Sequence, residues 1–297
     1  MKRLVAGIGE LLWDVFPAGR EIGGAPGNFA RHVDALGMTG LIISSVGDDD
    51  EGREILECLG ALGLTRDHVS VDLAHGTGRS TVALDPSGVP SFHVHENAAW
   101  DFIPFSPALE RVAREIDAVD FGTLGQRCPV SGETTLSFLA LTRPDTIRLF
   151  DLNLRPPHYT KEIIEKSLAA ATVLKLNDSE LRVVSRMFSY SGGESECLDR
   201  LAGEFELGLV ALTRGEKGSV LYSGGRWSIH PGYKTRVVDT VGAGDAFAAA
   251  LVVGMLAGLD LDRISERANR VASYVCSKPG ATPALPPNLL DGFTGGS

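Results

Sequence analysis

The chain has 297 residues, 43% of them hydrophobic and 22% charged, and its 28 basic and 38 acidic side chains leave a formal charge of −10. That composition excludes disorder and supports a large core, in one α/β domain or two smaller ones. With no block of Lys or Arg, nucleic acid and anionic membranes are poor partners, so an anionic ligand would need a local site of backbone amides and a few placed cations.

The opening MKRLVAGIGELLWDVF has two basic residues and several apolar ones, but Glu10 and Asp14 interrupt it, and it reads as a first buried strand rather than a leader. Short apolar runs then recur as RLVAGIG, GLIISSVG, DAVDFGTL, TIRLFDLNL, ATVLKLN and GLVALTRG. Between them lie helix-like stretches: APGNFARHVDALG, EGREILECLGALG, SGETTLSFLALTR, TKEIIEKSLAAA and SECLDRLAGEFEL. This alternation predicts a largely parallel sheet covered on both faces. Gly37, Gly63 and Gly208 each follow an apolar-periodic stretch, where a left-handed helix stop is wanted. Residues 78–100 break the pattern, with two extended runs around DPSG that predict a β-hairpin projecting as a lid. WDVFPAGREIGG could add another lid strand. Apolar lid faces need cover, which suggests a dimer joined through the hairpin. Cys58, Cys128, Cys197 and Cys276 include no C-x-x-C pair, which argues against a zinc cluster or disulfide framework and suits a reducing cytoplasm.

Near the end DTVGAGDAF runs into AAALVVGMLAGL, placing Asp245 at the head of a helix apolar on every side. Such a carboxylate either caps the helix or faces a ligand entering from outside. Small residues at Gly242 and Gly244 would let backbone amides converge on an anion, and an ionised Asp245 beside them could take a hydroxyl proton. In GGAPGNFARHVDALG, Asn28 heads a helix and offers both donor and acceptor to a polyhydroxylated ligand, or serves only as a cap. Asp14, after the first strand, carries the same ambiguity. DLNLRPPHY sets Asp151, Asn153 and Arg155 at a strand end, where α/β proteins bind ligands. In KLNDSEL, Asn177 and Glu180 have the spacing of a helix entry and a capping arrangement. There is no P-loop, and GIGELL lacks the third glycine of a dinucleotide fingerprint.

Together, in order and through almost the whole chain, these segments resemble the ribokinase/PfkB family of carbohydrate kinases. GGAPGNFARHVDALG is similar to its N-terminal signature and DTVGAGDAF to its C-terminal one; KLNDSEL resembles its N-x-x-E motif and LTRGEKGS its nucleotide loop. The resemblance implies one ribokinase-like kinase domain over 1–297, an α/β fold with a three-layer α/β/α Rossmann-like core and a small β-sheet lid whose strands fall within 12–23 and 78–100. It implies ATP as phosphoryl donor, Mg²⁺, and in some members a monovalent cation such as K⁺.

By position, the resemblance makes Asp245 the base and the amides of Gly242, Ala243 and Gly244 the anion hole. Asp14, Gly24, Asn28, Gln126 and Arg155 would hold the sugar, with Phe92 and Val94 forming an apolar wall on the lid. Asn177 and Glu180 would organise Mg²⁺ and its waters indirectly. Thr213, Arg214, Gly215 and Gly218 would line the nucleotide, with Asn269 beside adenine. Asp239, Val241, Val275, Lys278 and Gly280 occupy the positions of the cation loops. LLWDVFP, ENAAWDFI, FGTLGQR and DLNLRPPHY look most like the fructokinase branch, which implies fructose to fructose 6-phosphate in the cytoplasm. A 2-keto-3-deoxygluconate kinase is the nearest alternative, since Arg155 could pair a substrate carboxylate. A non-catalytic sugar or nucleotide sensor and an NAD(P)-dependent oxidoreductase are the readings from other classes.

Overall fold

The computed structural model describes residues 2–17, 19–84, 90–290 and 293. In chain order the strands are β1 (Leu4–Ile8), β2 (Leu12–Phe16), β3 (Gly19–Gly23), β4 (Thr39–Gly47), β5 (Val69–Asp72), β6 (Gly78–Leu84), β7 (Pro90–Val94), β8 (Ala118–Gly122), β9 (Ile147–Asp151), β10 (Val173–Asn177), β11 (Leu209–Thr213), β12 (Ser219–Ser223) and β13 (Arg226–His230). The helices are α1 (Ala25–Ala35), α2 (Asp50–Ala61), α3 (Pro107–Glu115), α4 (Pro129–Ala140), α5 (Lys161–Ala170), α6 (Asp178–Met187), α7 (Glu194–Glu204), α8 (Ala243–Leu256), α9 (Leu261–Cys276) and α10 (Pro287–Leu290).

Nine of the described strands form one sheet in the order β13-β12-β11-β10-β9-β8-β1-β4-β5. From β5 to β11 every pairing is parallel, while β12 and β13 are antiparallel. That last hairpin extends the sheet beyond the expected crossover pattern because GSVLYSGGRWSIH turns at Gly224 and Gly225, both at positive φ (54° and 82°). Such a two-residue turn matches the twist of the strands it joins.

Strand side chains alternate between two apolar layers. On one face Ala6, Val119, Phe121, Phe150, Leu174, Leu176 and Leu212 pack against α3 to α7. On the other, Val5, Ala118, Leu149, Val173 and Leu209 pack against α1, α8 and α9. The helix predicted to be apolar all round is α8, whose residues 246–254 are all buried. The fold is therefore the ribokinase-like α/β sandwich that the sequence implied.

The remaining four described strands form a second, smaller sheet in the order β3-β2-β6-β7, drawn from the two segments expected to supply it. Its base is anchored by Leu12, Val94, Ala98, Trp100 and Leu124. Arg127 reinforces this anchor, lying 4.1 Å from the Trp100 ring centroid and pairing with buried Asp101 at 2.8 Å. The DPSG turn at 85–88 lies outside the described residues, as does the side chain of Phe92. Of the expected glycine stops, Gly37 and Gly63 adopt positive φ (94° and 76°), but at the third helix end it is Glu206 (φ 53°) rather than Gly208 that does so. The stop falls two residues earlier because α7 ends at Glu204.

Candidate active site

The C-terminal ends of the parallel strands and the first turn of α8 meet beside the small sheet. Gly242 caps α8 in the left-handed region (φ 74°), and a Cβ there would lie 2.3 Å from the Ala281 carbonyl oxygen. Only glycine fits, so the loop before the helix closes against residues 279–281. Ala246 N donates to the Gly242 carbonyl at 2.8 Å, whereas the amides of Gly244 and Asp245 have no intrahelical acceptor and find no other among the described residues. Gly244 is exposed and Asp245 half-buried, so this helix tip opens to solvent.

Asp245 Oδ2 accepts a 2.8 Å hydrogen bond from Asn28 Nδ2, joining the heads of α1 and α8. Burial pushes the carboxyl up to about 6, aided by Asp151 and opposed by Asn28, Lys175 and Arg155. It is thus ionised at neutral pH yet basic enough to take a proton. Asp14, on β2, is likewise raised to about 6 by burial, opposed by the nearby Ser80 hydroxyl and by Arg155. Gly24 precedes α1 at φ 110°, where a Cβ would meet the Glu10 carbonyl oxygen at 2.2 Å. This close approach sets Glu10 Oε1 within 3.3 Å of Ala25 N, and burial pushes Glu10 up to about 7.

The residues expected around the nucleotide and metal fall at the strand ends in a more self-satisfied form. Asn177 caps α6, with Oδ1 accepting from Ser179 N and Glu180 N, while Glu180 Oε2 accepts from Asn177 N at 2.8 Å. Glu180 Oε1 takes Leu154 N at 2.9 Å, so both of its oxygens are committed to amides. The N-x-x-E segment is therefore a capping box in this structure. Thr213 ends β11, with Oγ1 3.4 Å from the Leu176 carbonyl. Arg214 N donates to the Gly218 carbonyl at 2.8 Å, holding the 215–218 loop, and its side chain reaches Glu194 at 3.5 Å.

Three expected side chains do not present themselves to a ligand as anticipated. Gln126 is 6% exposed, and its amide nitrogen donates to Gly122 O and Ser167 Oγ, so it braces β8 against α5. Asn269 is 7% exposed and gives its amide hydrogens to Ser219 Oγ and Ser265 O, both at 2.7 Å. Val94 belongs to the anchor of the small sheet. For Gln126 and Asn269 one acceptor is local, four residues back, while the other, Ser167 or Ser219, is brought in from 41 or 50 residues away.

The two cation-loop segments do adjoin: Asp239 accepts from Val241 N at 3.0 Å and Gly280 N at 3.1 Å, and Asp239 N reaches Cys276 O. The Val275 carbonyl takes Lys278 N at 3.0 Å, and the Lys278 ammonium stands 5.3 Å from the Tyr274 ring centroid. The two loops are thus joined through Asp239.

Sequence reading missed Lys175 and Asp120. Lys175 is 6% exposed and donates to Asp151 Oδ2 at 2.7 Å. Asp120 is 3% exposed, has an unpartnered Oδ1, and is pushed well up by burial and by Asp151. The signal was present: a lysine inside ATVLKLN and an aspartate inside DAVDFG are charges within otherwise apolar buried strands. A cavity of about 560 Å³ is lined by β2 and β3 residues such as Trp13 and Ile22, by Asn28 and Arg31 of α1, by α2 side chains and by the 279–283 loop. Asp245 does not line it, so the chemistry rather than the volume marks the site.

A half-buried carboxylate beside unsatisfied helix-tip amides, at the strand ends of a ribokinase-like sandwich, is the apparatus of a phosphotransferase acting on an alcohol. The chain belongs to the pfkB family of carbohydrate kinases, whose family model matches residues 9–288. It is a sugar kinase. It is 29% identical to PH1459 of Pyrococcus horikoshii, an uncharacterized sugar kinase, with 94% of this chain and 91% of that protein aligned. The crystal structure of PH1459 in complex with ATP superposes with a TM-score of 0.81, covering 93% of both chains. The fructokinase of Escherichia coli is 28% identical over 94% of this chain and 95% of its own length. The 5-dehydro-2-deoxygluconokinase of Bacillus licheniformis is 28% identical over 90% and 84%, respectively.

Proposed function

We propose that the protein transfers the γ-phosphoryl group of ATP to the primary hydroxyl of fructose, giving fructose 6-phosphate. The observation that carries this reading is the Asn28–Asp245 contact at the open tip of α8, beside the free amides of the glycine turn. Asp245 would accept the hydroxyl proton as the oxygen attacks phosphorus. The amides of Gly244 and Asp245 would receive the charge on the migrating group, since Ala243 N is engaged by the Thr240 carbonyl at 3.3 Å, and ADP would leave. Asn28, bonded to the base, would orient it and meet a second sugar hydroxyl. Asp14 and the Gly24 backbone would face the sugar from the small sheet, which would close as a lid and exclude water as a competing acceptor.

Mg²⁺ would neutralise phosphate charge when bound with ATP. Glu180 has both oxygens engaged by amides, so it and Asn177 suit contact through the ion's water shell rather than direct ligation. Asp239 joins the neighbouring cation loops, and no step here is routed through K⁺.

A neutral ketose is favoured over an acid sugar by the charge around the base. Asp14, Asp151 and Asp245 gather there with Glu10 and Asp120, which burial draws towards their neutral forms, against Lys175 and Arg155, and Lys175 is already paired. A substrate carboxylate would meet that acidic surround with only exposed Arg155 to receive it. The acid-sugar reading rests on Arg155 and on similarity to the B. licheniformis enzyme. A coupled assay of ADP formation over neutral ketoses, aldoses and 2-keto-3-deoxygluconate tests the choice. Highest kcat/KM with fructose is expected; preference for the acid sugar would overturn the assignment. Absence of turnover despite tight sugar binding would instead indicate a sensor.

A further inference from the structure

Below the base, the apolar layer facing α8 ends in a short polar row. Ala118, Leu149 and Val173 belong to that layer. Two residues further along each strand, on the same face by pleat alternation, stand Asp120, Asp151 and Lys175. Lys175 and Asp151 are register partners on neighbouring parallel strands, and the ammonium lies 2.7 Å from Asp151 Oδ2. The same ammonium is 3.4 Å from the point a Gly244 Cβ would occupy, so it sits directly against the glycine turn at the tip of α8. Burial pulls the Lys175 pKa down, but Asp151, Glu180 and Asp245 more than offset this, and it ends above its ordinary value.

We propose that Lys175 is a positioning residue for phosphoryl transfer: its fixed positive charge behind the glycine turn keeps Asp245 ionised and reinforces the anion-binding amides from within the protein. The inference rests on Asp245 being the base. The surroundings explain why a cation is needed. Asp245 faces the neutral Asn28 amide from α1, Asp14 from β2, Glu10 from the β1–β2 connection, Asp120 from β8 and Asp151 from β9. The cations facing it are Lys175 from β10 and Arg155 from the loop after β9. Arg155 is exposed and screened by solvent, whereas Lys175 is buried and its field is not. Asp151 holds the ammonium against the turn and prevents it from swinging into the cleft, where it would compete for the phosphate as a mobile charge.

The test is the pH profile of kcat at saturating MgATP and sugar for the wild type, Lys175→Met, Lys175→Arg and Asp151→Asn, with a thermal melt of each. Asp245 works as a base only when deprotonated, so turnover rises with pH through its pKa. Removing the ammonium should raise that pKa by about one unit or more, the usual effect of a close opposite charge. In Lys175→Met the acid limb should therefore move to higher pH, with turnover at pH 6 falling about five-fold further than at pH 9. Lys175→Arg should return the limb towards its original position. Asp151→Asn removes a repelling anion and should move the limb the opposite way, to lower pH. A merely structural pair would depress turnover evenly across pH in both variants.

An unmoved limb in folded Lys175→Met would overturn the proposal. Should that variant fail to fold, an unmoved limb in Asp151→Asn would do the same. Asp245→Asn, assayed alongside, separates the two readings: near-normal turnover there removes the base itself, whereas its loss together with an unmoved limb in Lys175→Met removes only the role of Lys175.

Discussion

Replacing Asp245 by Asn should trade stability against turnover. The carboxyl is raised from 3.8 to about 6, chiefly by burial. At 1.36 kcal/mol per unit, holding it ionised costs the native state about 3 kcal/mol as a ceiling. Its partial exposure to the cleft screens that cost, leaving about 1–2 kcal/mol. The sign follows from linkage. Between pH 3.8 and about 6 the native state retains a proton that the unfolded chain has lost, so stability falls as pH rises through this window and stays lowered above it. Asparagine avoids the cost and can still accept from Asn28 through its carbonyl. Asp245→Asn should therefore melt about 2–4 °C above the wild type at pH 8, with the gap closing at pH 4. Meanwhile kcat should fall by about two or more orders of magnitude. Calorimetry at both pH values and a coupled assay read the two effects. Equal or lower stability of the variant at pH 8 would refute the burial argument, and turnover within ten-fold of wild type would refute the role as base.

Three further outcomes follow from other contacts. Gly242→Ala would force a side chain into a left-handed position and against Ala281; a stability loss of about 1–3 kcal/mol and at least ten-fold lower kcat are expected, read by urea melts and steady-state kinetics. Glu180→Ala leaves two amides, Asn177 N and Leu154 N, without their acceptor; a loss of about 2–4 kcal/mol in urea unfolding is expected, together with a higher Mg²⁺ concentration at half-maximal rate. Arg155→Ala should change kcat/KM for fructose by less than about five-fold at pH 8, as suits an exposed charge; a far larger loss would point to direct substrate pairing.

Much of the architecture was legible before any coordinates. Alternating apolar runs and amphipathic stretches specify a helix-covered parallel sheet because crossover connections bury both faces. The all-apolar stretch after Asp245 announced a central helix, and the two extended segments announced the small sheet. Less legible was the β12–β13 hairpin, since its strands resemble any other short apolar run until the Gly224–Gly225 turn reverses them.

At the site, local chemistry marked Asp245, Asn28 and the glycine turn, because helix starts and tight turns are properties of neighbouring residues. Tertiary structure decided which polar groups remain free to act. Asn269 and Gln126 each give a hydrogen to a distant serine, Ser219 and Ser167, while Lys175 and Asp151, on separate strands, become partners under the turn. Hydrogen bonds and charge pairs form between groups brought together by the fold. Residue type and spacing thus determine what a side chain can offer, and three-dimensional packing determines whether a protein group has already taken it.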